Sequence, residues 1–304
     1  MSSSILVVGS VAFDSVRTPF GEAEDVLGGS ATYFSVSASF FSNVRVVAVV
    51  GSDFSDDHAS IFKRHNIDTS GLVRADGRTF RWKGEYGFDL NEAHTLDTQL
   101  NVFESFRPDL PDSYRDAEYV FLGNIDPELQ AEVLDQVRQP RVVACDTMNF
   151  WIDGKLDALR KTLRRVDILV INDGETRMLG GEANLVQAAN KIRAMGPRVL
   201  IVKRGEYGVL MFGEESVFAA PAFPLEEVFD PTGAGDSFAG GFMGHLAASE
   251  SMDDATFRRA IVYGSVMASF NVEEFSLKGL SKLTKTDIEG RFRQFQKLTH
   301  FDAL

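Results

Sequence analysis

Apolar positions along the chain fall into two rhythms. Ile5-Leu-Val-Val8 is a short unbroken apolar run ending at Gly9. Val44–Val50 is a dense β-branched run closed by Gly51. Tyr119–Leu122, Val142–Cys145, Ile168–Ile171 and Val199–Val202 repeat the form. Runs of this length, apolar on both parities, predict strands buried on both faces. Between them the rhythm becomes helical. Ser30–Phe41 places Ala31, Phe34, Ala38 and Phe41 on one face, and Asp53–His65, Pro127–Val137, Lys155–Arg164 and Asn184–Ala194 are further helices. Ala260–Val272 is a small-residue helix near the end. Strands alternating with amphipathic helices predict an α/β domain with a mostly parallel central sheet covered on both faces.

One stretch breaks the alternation. From Gly71 to about Phe103 the sequence is polar and aromatic, as in Thr79-Phe-Arg-Trp-Lys83 and Tyr86-Gly-Phe88. Such alternation predicts antiparallel strands with one wet face. There is no internal repeat or linker. The expectation is therefore one domain over 1–304 with a small β-strand insert at about 71–103: a lid, a decorative hairpin or a dimer edge.

Composition narrows the function. The chain has 304 residues, 44% of them hydrophobic, enough for a large core. A net charge of −13 argues against a nucleic-acid partner, which would want a basic face. Cys145 is the sole cysteine, so no intrachain disulfide forms and a cytoplasmic home fits. Its apolar neighbours make it a core residue rather than a nucleophile. The five histidines lack metal-ligand spacing, and Met1-Ser-Ser-Ser opens neither a signal peptide nor a membrane span.

The densest chemistry lies at Asp230-Pro-Thr-Gly-Ala-Gly-Asp236, which opens an apolar, small-residue helix. Gly233, Ala234 and Gly235 let backbone N–H groups approach an anion, and a helix start adds unpaired donors and a positive dipole end. A carboxylate there would repel phosphate, but it makes sense as a base that takes the proton of an attacking alcohol. A capped turn with Asp236 complementing the dipole is the plainer alternative.

This motif resembles the C-terminal signature of the PfkB (ribokinase-like) carbohydrate kinases, and the resemblance extends over nearly the whole chain. It implies a three-layer α/β/α fold with a small β-lid that often also forms a homodimer. It implies ATP and Mg²⁺ as cofactors, with a monovalent cation in some relatives, and transfer of the γ-phosphate to a hydroxyl of a small sugar. In that reading Asp236 is the base and Gly233, Ala234 and Gly235 form the anion cradle. Asp14, which follows the first strand, matches the family's binder of substrate hydroxyls, and Gly28-Gly29 begins its N-terminal signature. Tyr33 stands where many members have Asn; an aromatic there either stacks on a ring or packs inward. With Phe80, Trp82, Tyr86 and Phe88 it leaves a nucleoside as the alternative acceptor.

The remaining motifs follow the family's order. Gly51-Ser-Asp53 resembles a turn that shapes the substrate pocket, and Asp146-Thr-Met-Asn149 a stretch near the phosphates. Asn172-Asp-Gly-Glu175 matches an N-x-x-E motif tied to magnesium, with Glu175 acting through water, although Asn cap and first-turn Glu is also ordinary helix chemistry. Lys203, Gly205 and Gly208 form a turn beside the nucleotide, Thr232 belongs to the anion site, and Ala268 and Val272 are the expected adenine contacts. The motifs that adjoin a strand all lie at its C-terminal end, where open α/β sheets bind ligands. Two other classes compete. A non-catalytic sensor of the same fold would be marked by loss of the base, which is present. A dehydrogenase would need the absent G-x-G-x-x-G after the first strand.

Overall fold

The computed structural model describes residues 4–214, 216–249 and 251–300, so the opening Met1–Ser3 lies outside the described residues. Among the described residues thirteen strands form two sheets. In chain order they are β1 (Ser4–Val8), β2 (Ala12–Thr18), β3 (Gly21–Gly28), β4 (Asn43–Val50), β5 (Asp68–Arg74), β6 (Phe80–Tyr86) and β7 (Ala93–Gln99). Then come β8 (Tyr119–Leu122), β9 (Val142–Asp146), β10 (Ile168–Asn172), β11 (Val199–Lys203), β12 (Val209–Phe212) and β13 (Val217–Ala220).

The large sheet runs β13-β12-β11-β10-β9-β8-β1-β4-β5. It is parallel from β5 to β11, and β12 and β13 extend it as antiparallel strands. Side chains alternate across it: Ile5 and Val7 enter one apolar layer, Leu6 and Val8 the other. The first layer is covered by α1 (Ser30–Ala38), α2 (Asp56–Arg64), α8 (Ala234–Ala248), α9 (Asp254–Asn271), α10 (Lys278–Ser281) and α11 (Lys285–Thr299). The second is covered by α3 (Pro127–Gln136), α4 (Asn149–Gly154), α5 (Leu156–Leu163), α6 (Asp173–Gly180) and α7 (Leu185–Arg193). Every residue of α1 is buried, including three serines. One of them, Ser37, donates its hydroxyl to the Ser237 carbonyl at 2.6 Å, tying α1 to α8. Glycines admit the close approach, since a Cβ on Gly240 would lie 2.4 Å from the Phe34 carbonyl oxygen. The expected small-residue helix begins earlier, at Asp254, where Asp253 caps it by accepting from Thr256 N–H at 2.7 Å.

The small sheet differs from the expected insert. Its order is β3-β2-β6-β7, so residues 12–28 supply half of it. β6 and β7 pair antiparallel, as expected of the insert, but β2 joins β6 in parallel. β5, which includes Gly71, belongs to the edge of the large sheet. The reason lies in β2 and β3: Ala12–Thr18 carries Asp14 inward, and Gly21–Gly28 holds three carboxylates, so neither reads as a core strand. Their inward positions face a site rather than an apolar layer. The junction with the large sheet is polar. Asp53 accepts from Thr79 N–H at 2.8 Å, from Thr79 Oγ1 at 2.6 Å and from Arg81 at 3.1 Å. Burial acts against the Asp53 charge, but these bonds and the Arg81 charge outweigh it and hold the carboxyl below its ordinary range.

Candidate active site

The Asp230 motif folds into a left-handed turn followed by α8. Gly233 caps the helix with φ 75°, a conformation that favours glycine, and a Cβ there would strike the Tyr33 ring at 2.4 Å. The N–H groups of Gly233, Gly235 and Asp236 have no hydrogen-bond partner among the described residues. Ala234 departs from expectation: its N–H donates to the Pro231 carbonyl at 3.1 Å. The amides left open at this turn are thus those of two glycines and of Asp236. Asp230 lies beneath it, 1% exposed, accepting from Thr232 N–H at 2.9 Å and Ser276 N–H at 3.2 Å. Asn271 donates its amide to the Thr232 carbonyl at 2.8 Å and fixes the turn from α9.

Asp236 sits in the first turn of α8, part-buried. Burial, with the Asp146 charge, pushes its carboxyl up to about 7 against the pull of Lys203. A carboxyl in that range takes and returns a proton near neutral pH. Asp14, on β2, is 5% exposed and likewise pushed to about 7, by burial first, despite a bond from Gly29 N–H. Gly28 lies flush against it: a Cβ there would be 1.9 Å from Asp14 Oδ2. Gly29, φ 92°, also has no room for a side chain: a Cβ there would lie 2.6 Å from the Ser10 carbonyl oxygen.

Tyr33 is 1% exposed and its ring packs on Gly233, so no ring face is open for stacking. Its hydroxyl, buried near Asp14, Asp230 and Asp236, has no hydrogen-bond partner among the described residues, and burial raises its pKa further above the ordinary value. The open aromatic surface comes instead from β6. Trp82, Gly84 and Tyr86 share the face that carries Asp14, because Asp14 pairs with Trp82 and Val16 with Gly84. The Trp82 indole lies across Gly84, its Nε1 donating to Thr95 Oγ1 at 3.1 Å. Tyr86 reaches over the site to place its hydroxyl 3.3 Å from Thr232 Oγ1.

On the opposite side Lys203, at the end of β11, extends to Asp146 at the end of β9, Nζ to Oδ2 3.1 Å. Asn172 and Glu175 cap α6 reciprocally, each at 2.8 Å, which fits the plain helix-cap alternative while leaving Glu175 Oε1 without a hydrogen bond among the described residues. Burial, then the Asp146 charge, pushes Glu175 up to about 7. Gly205 and Gly208, φ 53° and 84°, turn the chain between β11 and β12. Asn91, beyond the end of β6, accepts from Glu206 N–H at 3.2 Å, so the small sheet spans from Asp14 to this turn. Ala268 and Val272 are part-buried at the end of α9, where the Val272 carbonyl accepts from Phe229 N–H at 2.8 Å. Gly264 serves close packing of α9 on α8, against Phe238. Cys145 is fully buried and its thiol pKa is raised, as befits a core residue. Among the described residues no three His, Cys, Asp or Glu converge as a metal cage, and no helix is long and apolar enough to cross a membrane.

Asp14, Asp236, the Gly233–Gly235 turn, Thr232, Glu175 and Lys203 therefore gather at one edge of the sheet. Sequence reasoning missed Asn271 and Ser276 as parts of this region, and no local pattern signalled either; Trp82 it had named among the aromatics of the insert.

The comparisons agree with this geometry. The pfkB family carbohydrate kinase domain matches residues 3–282. The chain is 28% identical over 255 residues to a cytidine kinase of Thermococcus kodakarensis, covering 82% of this chain and 91% of that one. It is 24% identical over 305 residues to an inositol 3-kinase of Arabidopsis thaliana, covering 95% and 81%. The solved nucleoside kinase of Methanocaldococcus jannaschii, an archaeal member of the ribokinase family, superposes with a TM-score of 0.76 at 20% identity, over 97% of this chain and 99% of that one. The fold is ribokinase-like, and the chain belongs to the pfkB family of carbohydrate kinases, ATP-using phosphotransferases whose acceptor is the hydroxyl of a sugar or nucleoside.

Proposed function

We propose that the acceptor is a nucleoside and that Asp236 is the base. The observation that carries the acceptor assignment is the Trp82–Gly84–Tyr86 wall on the face of Asp14. A part-exposed indole spread over a glycine offers a flat apolar surface to a base, while Asp14 accepts two ribose O–H donors. The similarity to a cytidine kinase and a nucleoside kinase points the same way. A free sugar, the family's broader default, would leave the indole face without a partner.

In this reading the small sheet is a lid that keeps out water, the competing acceptor. Asp236 takes the proton of a ribose hydroxyl. The oxygen attacks the γ-phosphorus in line, the bond to the β–γ bridging oxygen breaks, and ADP leaves with that electron pair. The amides of Gly233 and Gly235 hold charge on the moving group. Asp146 and Glu175 are hard oxygen donors at the phosphate side; they fit Mg²⁺ held mainly by phosphates and water, which screens the phosphate charge when bound. The turn at Gly205 and Gly208 and the end of α9 at Ala268 and Val272 would receive the nucleoside part of ATP. The exposed edge strand β7 is where a second copy would pair, as the family's lid dimers do, and the cytoplasm fits the buried free thiol.

The test is ADP release from ATP and Mg²⁺ over a panel of purine and pyrimidine nucleosides, free sugars and inositol. A nucleoside as the strongest acceptor is the expected result. A free sugar or inositol outcompeting every nucleoside would overturn the assignment, and no turnover with any acceptor despite ATP binding would favour a sensor.

A further inference from the structure

We infer that Lys203 is a catalytic residue whose ammonium leaves Asp146 to hold the γ-phosphate of ATP during transfer. The inference rests on the anion cradle assigned above and names the cation that serves it. Five carboxylates, Asp14, Asp146, Glu175, Asp230 and Asp236, act on one another's charge around the site. A triphosphate entering such a field needs a positive partner of the chain's own besides its metal. Lys203 is the cation set against the cradle: a Cβ on Gly235 would lie 2.8 Å from its Nζ. An anion bound to the Gly235 amide therefore comes within reach of that ammonium.

The hydrogen bonding points the same way. An ammonium carries three donors, and Lys203 makes one hydrogen bond among the described residues, to Asp146. Its side chain is 20% exposed and its Nζ lies beside Gly235 at the start of α8, so the ammonium is not sealed in an apolar layer. Asp146 does not depend on it alone, since Thr147 N–H donates to its other oxygen at 2.7 Å. The arginines nearby are turned elsewhere. Arg81 binds Asp53 and Asp25 at the lid junction, and Arg204 lies over the Tyr207 ring. Lys203 neither gives nor takes a proton. It neutralises charge on the group that leaves ADP and joins the acceptor oxygen, while the acceptor's proton goes to Asp236. At the end of β11, in register with Asn172 on β10, its backbone is fixed and only the flexible stem must swing.

Lys203→Met alone would leave Asp146 buried beside fewer donors and could unfold the chain. The test therefore compares Asp146→Asn with Asp146→Asn/Lys203→Met, in which neither member of the Lys203–Asp146 pair is left charged without the other. Calorimetry with ADP and with a β,γ-imido ATP analogue, Mg²⁺ present, reads the γ-phosphate directly and needs no acceptor. The double variant should lose about tenfold or more in preference for the triphosphate, with ADP binding changed less than about threefold. With a working acceptor, turnover should fall at least about 100-fold below Asp146→Asn at an unchanged Tm, as for loss of a preorganised charge-stabilising donor. Equal weakening of both nucleotides, a wild type without triphosphate preference, or turnover within about threefold of Asp146→Asn would overturn the inference. If the acceptor panel fails, the calorimetry still decides Lys203, so the two readings fail separately.

Discussion

Gly28→Ala is a clean probe of the acceptor side. Gly28 lies outside the left-handed region, so the backbone tolerates alanine. The cost falls on one neighbour: the new Cβ would stand 1.9 Å from Asp14 Oδ2 and 2.5 Å from Cγ. An ordinary C···O contact is well over an ångström longer, and Asp14 is 5% exposed within β2, so its carboxylate must rotate away. Rotation breaks the bond from Gly29 N–H and withdraws the oxygens that would accept ribose hydroxyls. Hydrogen bonds to a charged group contribute about 1.5–3 kcal/mol each. Loss of one such acceptor contact therefore predicts a fall of about 10- to 150-fold in kcat/KM for the acceptor. Steady-state kinetics with ATP and nucleoside varied separately give the measurement, alongside Asp14→Asn, which keeps the shape and loses the charge. ATP kinetics should change less than about threefold. Equal losses for both substrates, or an unaltered acceptor constant, would refute the placement of Asp14.

Two further outcomes follow from the electrostatics and the lid junction. Asp236 has an ordinary value of 3.8 and a folded value of about 7, so between them the folded chain holds a proton that the unfolded chain has lost. Stability then falls as pH rises through that window, and above it the penalty is complete. Asp236→Asn should raise Tm at pH 8 in nucleotide-free protein, with the gain fading toward pH 4; a Tm gain independent of pH would contradict the assignment of burial as the cause. Asp53→Ala removes the acceptor for Thr79 and Arg81, which should cost about 1–3 kcal/mol in urea unfolding and raise the acceptor KM more than that of ATP. Unchanged stability would show that the junction is held elsewhere.

How much of this was legible beforehand depended on what each segment faces. β1, β4 and β8–β11 are buried on both sides, so their apolar runs declared them. The cradle was legible because Gly233 needs a left-handed conformation and sequence records that need directly. β2 and β3 were not, because strands that face a ligand keep polar residues such as Asp14 on their inner side. Tyr33 was ambiguous for a similar reason: an aromatic in a helix next to glycines either stacks or packs, and only the position of Gly233 beneath its ring decides. Asn271 and Ser276 are close to the Asp230 motif in space but about forty residues later in the chain, a pairing that no local pattern encodes.

The central claim is that Asp236 removes the acceptor's proton. Turnover of Asp236→Asn with the best nucleoside, measured beside calorimetric binding of ATP and of that nucleoside, tests it most directly. The account predicts kcat lower by about 10²–10⁴ with both affinities within about threefold of wild type. A variant that keeps more than about a tenth of its turnover would contradict it, because loss of a general base cannot be so mild.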